Sequence, residues 1–138
     1  MTDNGRLCHR DGALRRGARR RRVLELPTLT NKGGFMVNVG LVVYTKGKMP
    51  GVLNSRWCES APCWGTGLAT GGPAEGFVGR YTARYFDESG AEKIIFELVI
   101  EKSGEIYALS WLIDGAIRLT GIAMEVNEGL GAGFRPID

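Results

Sequence analysis

The chain has 138 residues, 43% hydrophobic and 24% charged, with a formal net charge of +3. That is the size and composition of one globular domain, with no apolar run near the roughly 18 residues a membrane helix needs. The charge is segregated: residues 1–35 carry nine Lys and Arg against Asp3, Asp11 and Glu25, a balance of +6, while the remainder carries nine against twelve acids, a balance of −3. A body with that balance lacks the clustered cations of a nucleic-acid face.

The N-terminal stretch "HRDGALRRGARRRRVLEL" holds eight arginines between residues 6 and 22 and no lysine before Lys32. Few apolar residues and no helical period predict a disordered basic tail, the one part of the chain suited to phosphate contact. Lysine-free arginine clusters also arise when GC-rich DNA upstream of a gene is translated. Lys-Gly-Gly codons ahead of Met36 can spell a ribosome-binding sequence. The expected organisation is therefore an arm over 1–35, whose alternative origin is an upstream translation artefact, and one domain over 36–138. No secretory apolar core follows the arginines, which predicts a cytoplasmic location.

From Val37 the pattern has period two, broken by turn residues. "VNVGLVVYT" (37–45) is apolar throughout, as a well-buried strand would be, and "VLNSRW" (52–57) follows a Gly- and Pro-bearing turn. A Gly-bearing segment through Gly65 and Gly67 comes next. "GFVGRYTARYF" (76–86) sets Phe77, Gly79, Tyr81, Ala83 and Tyr85 on one face. "KIIFELVIEK" (93–102) sets Ile94, Phe96, Leu98 and Ile100 against Glu97 and Glu101. Ser103-Gly104 turns into "EIYALSWLI" (105–113), and Asp114-Gly115 predicts a type I′ hairpin into "AIRLTGIAMEV" (116–126). "NEG" leads to "LGAGFRP" (130–136).

Seven or eight strands with short connections must be antiparallel neighbours, and a series this long closes or stacks to remove its edges. The predicted fold is all-β: an up-and-down meander closing into a small barrel or half-barrel, with a two-sheet sandwich as the alternative. A repeat supports the regularity. Trp57 and Trp111 are each followed by Thr-Gly-Leu/Ile-Ala, at Thr66–Ala69 and Thr120–Ala123. Glycine inside a strand is explained by a sharp bend or by the approach of a large side chain, for which Trp57 and Trp111 are the candidates.

The only histidine, His9, lies in the arm, so the body has no His-based triad or His metal ligand. Glu97 and Glu101 are too far apart for a carboxylate dyad. The sequence therefore predicts no enzyme, no metal and no cofactor. Cys58 and Cys63 have neither zinc-knuckle nor redox spacing. They are expected as two free thiols, with a disulfide across the intervening loop as an alternative. "GTGLATGGP" lacks the following helix and Gly-Lys-Ser/Thr of a phosphate loop. The aromatic residues remain. Trp57, Trp64, Tyr81, Tyr107 and Trp111, with Arg84 as a polar tip, are the predicted contacts of one small apolar or amphipathic ligand inside the barrel. The same side chains filling a solid core are the competing reading.

"GTGLATGGPAEGFVGRY", with the later "GIAM" and "EGLGAG", resembles a small set of bacterial proteins to which no activity attaches. In architecture, residues 37–136 are similar to the calycin-type barrels, the lipocalin- and avidin-like folds. The resemblance implies a barrel that holds a small ligand. The lipocalin Gly-x-Trp is absent, since Ser55-Arg56 precedes Trp57, and no avidin biotin motif is present. The functional expectation is non-catalytic binding of a small ligand. The alternative is an interaction module that docks a protein or a second copy through a sheet face.

Overall fold

The computed structural model describes residues 38–137. The arm and the start-site expectation fall outside them. Eight strands follow in order: β1 Gly40–Lys46, β2 Leu53–Glu59, β3 Cys63–Thr70, β4 Gly79–Asp87, β5 Glu92–Ser103, β6 Ile106–Ile113, β7 Ala116–Val126 and β8 Gly129–Pro136. Each pairs antiparallel with the next. β1 closes on β8, from Gly40 opposite Phe134 to Thr45 opposite Gly129, which makes one closed barrel. The sandwich alternative is thereby replaced: closure leaves no edge strand to cover.

The turns form as their residues dictate. Asp114 and Gly115 take φ of 52° and 81°, the left-handed pair a type I′ turn demands. Asn127 does the same in the β7–β8 turn, at φ 52°.

Alternate residues of every strand point inward. Val42, Tyr44, Leu53, Trp57, Tyr85, Phe96, Leu98, Leu109, Trp111, Leu119 and Leu130 are all buried there. The two sequence repeats fall on strands four apart, β2–β3 and β6–β7, so the repeat marks the two halves of the barrel. Its glycines serve neighbours other than the tryptophans. A Cβ on Gly67 would strike Ser55 Oγ and the Tyr85 ring, and one on Gly121 would strike the Gly133 carbonyl and Phe134. Trp57 instead packs over Gly65.

One expectation about β1 is corrected. Val42 and Tyr44 are buried, but Leu41 and Val43 stand exposed on the outer wall. The apolar run belongs to a strand with one face in the core and an apolar face outside, not to a strand buried on both.

Candidate binding surfaces of the barrel

The six predicted ligand contacts divide between the two sides of the wall. Trp57, Tyr81, Tyr107 and Trp111 are buried in the interior. Trp64 lies on the outer wall, 53% exposed, because Gly65 and Gly67 take the inward positions of β3. Arg84 is also outside, bonded to Glu92 at 3.2 Å beside the neighbouring Arg80–Glu97 pair. Trp64 and Arg84 therefore share no chamber with the other four.

The interior aromatics hold one another. The Tyr44 and Tyr85 hydroxyls are 2.5 Å apart, and Trp111 Nε1 donates to Tyr85 Oη at 3.0 Å. Trp57 Nε1 donates to the Thr66 carbonyl at 3.0 Å, and Tyr81 Oη to the Phe77 carbonyl at 2.8 Å. The space between Tyr44, Tyr85, Trp111 and Phe134 leaves no volume for even a water-sized molecule. Ser55 Oγ is buried beside this cluster without a hydrogen-bond partner, a feature the alternation of "VLNSRW" placed inward but gave no reason to single out.

Burial and the adjacent Tyr85 raise the Tyr44 phenol well above its usual range. Burial lifts Tyr85 to about 12, against the lowering effect of its bonds to Tyr44 and Trp111. Unfolded phenols ionise near 10, so in that window the folded state holds protons the unfolded state has lost. Stability is therefore complete below pH 10 and falls as pH rises, by about 1.4 kcal/mol per pH unit for each phenol. Urea unfolding between about pH 9 and 12 is expected to show this decline, and Tyr85→Phe to make it shallower. A flat profile in the parent protein would contradict the buried pair.

Outside, the wall has two unlike halves. β4 and β5 carry the Arg–Glu pairs. From β7 through β8, β1 and β2 to β3 the outward residues are mostly apolar or small. The register aligns Ile122, Gly133, Leu41, Cys58 and Trp64 in one row and Met124, Gly131, Val43, Arg56 and Thr66 in the next. A groove of about 580 Å³ lies over β1–β3, walled by Leu41, Val43 and Trp64 and floored by Arg56 and Cys58. A second, of about 390 Å³, runs over β8 between Val39 and Ile122, with Gly133 at its base.

Cys58 is a free, exposed thiol on this wall. Cys63 stands opposite Glu59, turns inward against the core, and is disulfide-bonded. The two cysteines lie on opposite faces, so the disulfide between them does not form, and the free-thiol expectation holds for Cys58 alone. Among the described residues no three His, Cys, Asp or Glu side chains converge as metal ligands.

Comparison with family models, curated proteins and solved structures finds no match to this chain.

Proposed function

We propose that this protein is a non-catalytic association module that docks another protein surface on the outer wall of β7, β8, β1, β2 and β3. The observation that carries the reading is the contrast between the two halves of the wall. Two Arg–Glu pairs stand on β4–β5, with Ile95 exposed between them, while Leu41, Val43, Trp64, Ile122 and Met124 stand exposed together on the other half. Contiguous exposed apolar residues rimmed by polar ones mark interaction sites, and Trp, Met and Arg are the types enriched there. The close packing around Tyr44, Tyr85, Trp111 and Phe134 gives this wall a rigid support. A calycin-like affiliation and a bacterial, cytoplasmic setting belong to the same proposal and rest on the sequence patterns above.

A small amphipathic ligand remains the second reading, moved from the lumen to the β1–β3 groove. Its volume and its mix of Trp64, aliphatic walls and Arg56 suit such a molecule.

Met49 in the β1–β2 turn and Met124 on the wall have nearly equal exposure, 65% and 59%. Oxidative footprinting of the full chain, in cell extract and after purification and dilution, compares the two directly. In extract, Met124 is expected to oxidise several times more slowly than Met49, and in the dilute chain at the same rate. Protection confined to Trp64 would favour the small ligand. Equal rates for Met49 and Met124 in extract would overturn the association reading.

A further inference from the structure

We infer that the surface docked on this wall is a second copy of the same chain, with β1 of each copy seated on β8 of the other. The inference rests on the association reading above and specifies its partner. Its origin is a pair of glycines that the single barrel does not require. Gly131 and Gly133 point outward from β8 and have no left-handed φ. A Cβ on Gly133 would meet nothing nearer than the Gly40 carbonyl at 3.9 Å, and one on Gly131 only Val126 at 3.4 Å, both ordinary contacts. Glycine weakens a strand and packs nothing, and one reason to keep it is the close approach of another surface.

The register says what fits. Leu41 lies directly beside Gly133 and Val43 beside Gly131, one strand spacing away. A two-fold axis along the seam between β1 and β8 exchanges those strands. It sets Leu41 of each copy over Gly133 of the other, and Val43 over Gly131. On the flanks it sets Ile122 over Cys58 and Met124 over the stem of Arg56. Leu41 and Ile122 of the first row thus each meet a small residue, the self-complementarity that an isologous contact requires.

Charge agrees at one end of the seam. Gly129 pairs with Thr45, which places the β7–β8 turn with Glu128 beside the β1–β2 connection with Lys48. The same axis brings the turn with Glu128 of each copy over the connection with Lys48 of the other, so opposite charges face each other there, while Lys46 stays bonded to the Gly76 carbonyl over the Phe77 ring of its own barrel.

Four strands at ~4.8 Å spacing, over six residues at ~3.3 Å each, give a face of about 380 Å² per copy in projection. That lies below the roughly 1,000 Å² total that stable specific interfaces bury, so the dimer is a weak one that assembles only with concentration.

Sedimentation equilibrium of the full chain across the micromolar range tests this. The parent is expected to pass from monomer to dimer. Gly133→Leu is expected to weaken the dimer at least tenfold, because two leucines then collide at the seam, without lowering the thermal midpoint. Adding Leu41→Ala to it restores the large-on-small pairing, and most of the affinity is expected to return. If Gly133→Leu lowers the thermal midpoint, Gly133→Ala replaces it, with a smaller loss expected. A parent that stays monomeric, or a dimer indifferent to residue 133, would overturn the inference. Met124 protection in extract together with a monomeric pure chain would remove the second copy and leave the association reading standing.

Discussion

Trp111→Ala is expected to remove about 4 kcal/mol of stability, the range found when a buried Trp is truncated. Three features place it at the large end. The indole is almost fully buried in a lumen with no spare volume, so its neighbours start from close packing and have little room to collapse. It stacks at a tilt on Phe134, with ring centroids 5.4 Å apart, and that contact contributes beyond the buried area. Its Nε1 is also a donor to Tyr85 Oη, and its loss leaves that buried hydroxyl with the Tyr44 hydroxyl as its one remaining partner among the bonds described. Since a domain of this size has roughly 5–15 kcal/mol in total, the variant should unfold at a much lower urea midpoint. Trp64→Ala, on the exposed wall, is the matched comparison and is expected to change stability by less than about 0.5 kcal/mol. Circular dichroism on both variants checks the pair. Equal effects would mean that the assignment of the two tryptophans to opposite sides is wrong. A loss of ligand on mutating Trp111 would accordingly report on the fold and not on a binding site.

The contrast between those tryptophans also shows where sequence pattern stops being informative. Period-two alternation places strands well, and the turn chemistry of Asp114-Gly115 and Asn127 fixes the hairpins. Closure follows because eight meandering strands would otherwise expose two edges. Parity fails around glycine. In "CWGTGLAT" an aromatic next to two glycines looks like the inward residue, but Gly65 and Gly67 are the inward ones, admitting Trp57 and Tyr85 from neighbouring strands. The tryptophan that reads as core is left outside. Whether aromatic side chains enclose a cavity or consume it depends on summed volume against barrel diameter, a property no local stretch contains. "VNVGLVVYT" carried a signal in the opposite direction. An antiparallel strand with apolar residues on both faces has either two cores or one core and a partner. The closed barrel removes the second core and leaves Leu41 and Val43 in the open beside Gly133 and Gly131.

Gly65→Ala is the second large effect expected, a loss of about 3 kcal/mol, at the upper end of what overpacking costs. A Cβ there would be driven into the backbone carbonyl of Phe86 and to 2.7 Å from the Trp57 ring. Neither neighbour can retreat cheaply. Phe86 adjoins the irregularity in the β4–β5 register between Tyr85 and Phe86, and Asp87 beside it is the cross-strand partner of Gly65. Trp57 is held by its Nε1 bond to the Thr66 carbonyl, so moving the ring sacrifices that bond as well. The informative comparison is Gly133→Ala, where the added methyl meets only ordinary contacts and should leave the monomer as stable, or about 0.5 kcal/mol more so, since alanine restricts the unfolded chain. Urea unfolding of dilute, monomeric samples measures both on one scale. A costly Gly65→Ala beside a neutral Gly133→Ala would separate the glycine that the barrel itself demands from the one whose demand comes from outside it. A costly Gly133→Ala would return β8 to the requirements of the monomer and take from the dimer the observation it starts from.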